Sequence, residues 1–279
     1  MNRRHAVLAA MVVAAAATSA CSTNAAPKPW ADVTPSPVSA DVPVWADVTG
    51  QGVEAPRDAV DKAQFSATPK PGVKVLHDIN QARDMDMCTI GPAVSGGYLT
   101  AGHCAKAYSP VQYLQTTPTG DPHFLGTASV PDGPVDAAVI RTGAGDAGAT
   151  RIAGTWPVAG VLTQAGVQKL VPAGSMICID GAVTGVKCGE RVPDEGGQLV
   201  YRVPSAHGDS GAPVFVVDPT TRRAALVGIL SEGDDTGTDR KSTAVYLESA
   251  LLATGTAARL APHVDAFDGP EFSGRIAVK

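Results

Sequence analysis

The sequence is poor in aromatic residues, 5% of 279, and in charged ones, 18%. With 44% apolar residues, so low a charge excludes a chain disordered by composition. There is no glycine repeat and no heptad array, which excludes fibrous classes, and no apolar run long enough for a multi-span membrane protein. Basic residues number 22 against 27 acidic ones, a net charge of −5. Without a basic stripe, no nucleic-acid partner is expected. No glycine-rich phosphate loop and no cluster of metal ligands is visible, so no cofactor and no metal are expected. Small residues dominate what is there. The length suits one large domain, or two small ones with tails.

The N-terminus reads as an export signal over 1–20. Arg3 and Arg4 precede an uncharged run, Ala6 to Ala17, too short for a bilayer helix of ~20 residues. Thr18-Ser19-Ala20 then leads to Cys21, an order that resembles a bacterial lipobox. By that resemblance Cys21 would be lipidated and would attach the protein to the outer side of the cytoplasmic membrane. The alternative is cleavage nearby, for instance after Ala26, and free secretion. In both cases the mature chain works outside the cytoplasm, where disulfides persist.

Residues 21–72 read as a tether or pro-segment rich in Pro, Ala and Asp. Within them Trp30-Ala31-Asp32-Val33-Thr34 returns as Trp45-Ala46-Asp47-Val48-Thr49, too small a repeat for a solenoid. Frequent prolines argue against helix or central strand. With Cys21 set aside, Cys88, Cys104, Cys178 and Cys188 allow three connectivities. Adjacent pairing, Cys88 with Cys104 and Cys178 with Cys188, closes two short loops, and a loop of ~15 residues contributes about 3 kcal/mol in the chain-entropy model. The spacings lack the close cysteine pairs that zinc sites use.

From about Val73 the pattern is all-β. Short apolar runs alternate with Gly, Pro and Asp clusters: Tyr98–Ala101, Ala137–Ile140, Gly160–Thr163, Leu199–Val203, Pro213–Val217, Ala224–Leu230 and Thr243–Leu247. Many short strands with frequent turns suggest a sandwich or barrel. Only Leu247 to Leu260 has helical spacing.

Two segments carry chemistry. In Leu99-Thr100-Ala101-Gly102-His103-Cys104 a histidine follows an apolar strand. In Gly208-Asp209-Ser210-Gly211-Ala212-Pro213 a serine sits in a tight turn between glycines. Each is ambiguous alone; together they describe a nucleophile and its base. A serine hydroxyl is a weak nucleophile near neutral pH and needs a base within hydrogen-bond reach, itself oriented by a third group.

These segments resemble the histidine and serine motifs of chymotrypsin-fold serine proteases, most closely the bacterial secreted streptogrisin-like branch. Cys88-Thr89-Ile90-Gly91 and the pair Cys178 and Cys188-Gly189 are similar to that branch as well. The resemblance covers about Val73 to Leu260. It implies two six-stranded antiparallel β-barrels with a C-terminal helix over 73–262, followed by a tail, 263–279. It also implies a Ser-His-Asp triad of His103, Asp136 and Ser210. Asp136-Ala137-Ala138-Val139-Ile140 fits the family's acid motif; Asp121, Asp132 and Asp146 fit worse. Gly208 and Ser210 would supply the oxyanion-hole N–H groups, and Asp209 would be held by a buried ion pair. Ser231 and Gly233 would pair with an extended peptide substrate, with Ser231 also holding Asp136.

The sequence departs from the family at Ala212, which replaces a glycine, and in lacking a disulfide beside the serine loop. Pro204 stands where trypsin-like enzymes carry an acid, so cleavage after Lys or Arg is not expected. His207, at the pocket mouth, would favour an acidic or polar residue before the scissile bond. The expected protein is therefore an extracytoplasmic, monomeric serine endopeptidase acting on protein or peptide. The alternative is a catalytically silent, protease-like cell-surface binding protein. An esterase of another fold is disfavoured, since the Gly-x-Ser-x-Gly elbow is missing and the histidine precedes the serine.

Overall fold

A computed structural model describes residues 42–80, 84–106, 108–142, 147–233 and 240–277. The signal segment, Cys21, Trp30 and Asp146 lie outside them. The first half is built from β1 (Lys74–Asp78), β2 (Met85–Thr89), β3 (Ala93–Val94), β4 (Gly97–Thr100), β5 (Val111–Leu114), β6 (His123–Ser129) and β7 (Ala138–Arg141). Pairing runs β3-β4-β7-β6-β5-β1-β2, all antiparallel. Its two ends, β2 and β3, are one bent strand joined through Ile90-Gly91-Pro92. Gly91 N–H donates to the Leu99 carbonyl at 2.8 Å and Leu99 N–H to the Pro92 carbonyl at 3.0 Å, so the sheet curls back on itself. Val75, Ile90, Tyr98 and Ile140 fill its interior.

The second half begins with β8 (Arg151–Ile152), β9 (Trp156–Val161) and the short helix α1 (Gln164–Leu170). Then come β10 (Met176–Gly181), β11 (Gly185–Glu195), β12 (Gln198–Tyr201), β13 (Pro213–Val217), β14 (Ala224–Gly233), β15 (Ser242–Tyr246) and helix α2 (Leu247–Thr254). The ring β10-β11-β12-β15-β14-β13 closes, because β13 pairs with both β10 and β14. This is a six-stranded antiparallel barrel around Leu199, Tyr201, Val214 and Val227. Strand β9 joins its outside in parallel to β14. A third apolar cluster, with Leu99, Val139, Phe215 and Leu251, is drawn from both halves.

Four features differ from the sequence expectations. Residues 42–72 are a strap packed on the barrels and not a solvated tether. Trp45 is buried in the second barrel's cluster and donates from Nε1 to the Leu170 carbonyl at 2.7 Å. Val48, Ala55, Ala63 and Phe65 are also buried. Prolines bar regular ladders here, but an extended segment docks through isolated bonds such as Ala46 N–H to the Val217 carbonyl at 2.9 Å. Asp58 and Asp61 clamp the buried Lys74 at 2.6 and 2.8 Å.

Residues 263–277 of the expected tail are not free either. Phe267 stacks on Phe272, and β17 (Ile276–Ala277) pairs in parallel with β16 (Ala258–Arg259). Helix α2 ends at Thr254 and does not reach Leu260, because Gly255 takes a left-handed cap at φ 64°. Helix α1 was hidden by its shortness; Thr163 caps it, Oγ1 accepting from Gly166 N–H at 2.8 Å. No helix among the described residues is long and apolar enough to cross a membrane.

Candidate active site

The register of β4 and β7 brings His103 to Asp136. Thr100 stands opposite Ala138. In an antiparallel pair the residues after one strand run beside those before the other. His103 follows β4 in a turn stapled by the Cys88–Cys104 disulfide, and Asp136 precedes β7. The carboxylate takes two bonds from one residue: His103 N–H reaches Oδ1 at 2.8 Å and Nδ1 reaches Oδ2 at 2.9 Å. Ser231 Oγ donates to the same Oδ2 at 2.5 Å.

Electrostatics follow from these contacts. Burial pushes the Asp136 carboxyl up, but the bonds from His103 and Ser231 outweigh it and hold its pKa at about 2. The hydrogen bond to Asp136 raises the His103 pKa, against the lowering effect of burial. An imidazole whose Nδ1–H is held by a carboxylate presents Nε2 as an acceptor.

The serine turn lies between the barrels and is tied to both. Thr89 N–H of the first donates to the Ser210 carbonyl at 2.8 Å, and Gly211 N–H donates to the Leu230 carbonyl of the second at 2.7 Å. The turn needs glycine at 208 and 211, with φ 97° and 91°. A Cβ on Gly211 would also sit 2.4 Å from Thr100 Oγ1. Among the described residues, the N–H groups of Gly208 and Ser210 donate to no protein acceptor. Such free donors in one turn are suited to an oxyanion.

Asp209 is fully buried, yet the expected ion pair is absent among the described residues. The carboxylate instead accepts from Val183 and Thr184 N–H at 2.9 and 3.2 Å, and from Ala206 N–H at 2.8 Å. Burial raises its pKa above the usual carboxylate range. Ala212 is wholly buried in the second barrel's cluster, so its methyl is accommodated.

His103, Asp136, Ser210, Ser231, Gly233 and His207 line one cleft of about 660 Å³, with Gln198, Ser205 and Glu232. Pro204 does not line it; the next residue, Ser205, does. Ser205 Oγ meets Ser242 Oγ at 2.9 Å. His207 has an acidic partner, because Asp86 Oδ1 lies 2.7 Å from its Nε2. That acid comes from β2 and no motif flagged it. Ser210 Oγ meets the Ser231 carbonyl at 3.5 Å, and no bond joins it to His103. Cys178 and Cys188 stand directly opposite in the β10–β11 ladder and are bonded, away from the cleft.

No protein-family model and no curated protein matches this chain. Among solved structures it is similar to a glutamic acid specific serine protease that uses a histidine triad in substrate binding. The TM-score is 0.51 and the identity 20%, over 68% of this chain and 100% of that one. At that identity the likeness carries the fold alone: two β-barrels and a C-terminal helix in the chymotrypsin-like arrangement.

Proposed function

We propose that this protein is an extracytoplasmic serine endopeptidase. The observation that carries the reading is the His103–Asp136 pair facing the cleft in which Ser210 sits beside two free N–H groups. Ser210 Oγ attacks the scissile carbonyl while His103 Nε2 takes its proton. The oxyanion is stabilised by the N–H groups of Gly208 and Ser210, each such donor contributing ~2.7–4 kcal/mol. His103 then gives the proton to the departing amine, leaving an acyl-enzyme. Water attacks that ester with its proton passing to His103; the acyl–Oγ bond then breaks, His103 returns the proton to Ser210 Oγ, and the carboxylic acid product leaves. Asp136 holds Nδ1–H throughout and stabilises the imidazolium. The two disulfides fit a chain that works outside the cytoplasm.

The structural neighbour's preference for glutamate is not carried over. Its substrate binding uses a histidine triad, whereas among the described residues this cleft is lined by His207 besides His103, and His207 is paired with Asp86 at 2.7 Å.

A second reading, a silent protease-like binding protein, is favoured by the lack of a Ser210–His103 bond. Catalytic hydrogen bonds are commonly long before substrate arrives, so the two readings part by experiment. Labelling of the wild type by a fluorophosphonate, abolished by Ser210→Ala, is the expected result. A folded wild type that takes no label and hydrolyses no denatured protein supports the silent reading.

A further inference from the structure

The cleft carries a carboxylate that the proposed chemistry does not use. Glu232 is exposed, lines the cavity beside Ser231, and has no ion pair among the described residues. Two basic side chains that line the same surface already have acidic partners: His207 meets Asp86 at 2.7 Å and Lys241 meets Glu195 at 3.3 Å. Its charge reaches the centre, being one of the influences that raise the His103 pKa.

The strand bearing Glu232 is free on its cleft side. β13 pairs with β14 only as far as Ile229, and the last main-chain ties are both at Leu230: its N–H donates to the Ala212 carbonyl and its carbonyl accepts from Gly211 N–H. The opposite edge of Glu232 and Gly233 is covered by Thr243 and Ser242. An extended peptide can therefore add to Ser231–Gly233 as an antiparallel strand. Ser231, whose carbonyl is 3.5 Å from Ser210 Oγ, sets the residue at the scissile bond. Glu232 then faces the residues that precede it. The register shifts between Leu230 and Glu232, where Ser231 turns to Asp136 and Glu232 lines the cleft next to it.

We infer that Glu232 selects substrates with a basic side chain at the second to fourth residues before the scissile bond. This rests on the endopeptidase reading and goes beyond it, because it assigns a substrate class. It concerns the second to fourth residues and not the one next to the scissile bond, where His207 was the expected determinant. An exposed ion pair gives about a threefold to fivefold effect, weakened by salt.

The test uses fluorogenic peptides that differ only in Lys, norleucine or Glu at each of those three positions. For wild type at low salt, kcat/KM is expected to be about threefold to fivefold higher with Lys than with norleucine at one of them, and lowest with Glu. Glu232→Gln should remove the Lys advantage, and Glu232→Lys should transfer it to Glu. Cleavage of all three peptides at equal rates, or a Lys preference that survives Glu232→Gln, overturns the inference and leaves the endopeptidase reading standing. No cleavage and no fluorophosphonate label in the wild type refutes both.

Discussion

Replacing Asp136 by Asn tests the proposed mechanism at a single atom. Oδ1 accepts from the main-chain N–H of His103 at 2.8 Å, a donor that cannot turn away. The Asn side chain must keep its oxygen there, which places the NH2 where Oδ2 now faces His103 Nδ1 and Ser231 Oγ. An NH2 can only donate. Nδ1 must then accept, and the ring proton moves to Nε2, the atom that should receive the Ser210 proton. The same change of tautomer in the serine-protease template lowers kcat by about 10⁴, equivalent to about 5.4 kcal/mol at ~1.36 kcal/mol per decade. The assay is kcat on the best fluorogenic peptide, with the fluorophosphonate labelling rate measured in parallel and circular dichroism to show a folded variant. A folded Asp136→Asn variant within tenfold of wild type would refute the assigned roles of Asp136 and His103.

Other outcomes follow from the same contacts. Since His103 must be neutral to accept a proton and its pKa is raised by Asp136, kcat/KM should fall with acid along a limb centred above ~6.5, the ordinary histidine value; a profile flat from pH 4 to 9 would exclude His103 as base. The Asp136 carboxyl, held at about 2, adds stability that is present above its unfolded value of ~3.9 and lost as pH falls toward 2. Stabilities from urea titrations of wild type and Asp136→Asn should therefore depend differently on pH over that acid window. Trp45→Ala removes a buried indole and its bond to Leu170, at about 3–5 kcal/mol, lowering Tm on the order of 10 °C. Its neighbour Val44, 81% exposed, should tolerate Ala within ~0.5 kcal/mol, and equal melting of both variants would return 42–72 to the status of a tether.

Much of the site was legible because its parts are local. A strand followed by Gly-His-Cys, and a serine between glycines, are signatures written by neighbours in the chain, whereas Asp136 and Ser231 were reached through the family resemblance. Strand Pro213–Val217 could be read to the residue, being an unbroken apolar run bounded by turn residues. Strands β1, β2, β5 and β6 could not, since their mixed polar and apolar residues carry no clean alternation. Helix α1 is too short to show a period.

What the sequence determined by itself is the set of chemical groups, the all-β class and the turns that expose His103 and Ser210, because each depends on residues close together in the chain. Only the tertiary structure decided the rest. It packed the proline-rich strap through Trp45, Val48 and Phe65, gave Asp209 three main-chain donors in place of an ion pair, and set Asp86 against His207. Among the described residues it gave Glu232 no ion pair at the cleft. Each of these joins residues far apart in sequence, and no local pattern encodes which distant surface will be dry, which charge will be answered, and which will stay open to a ligand.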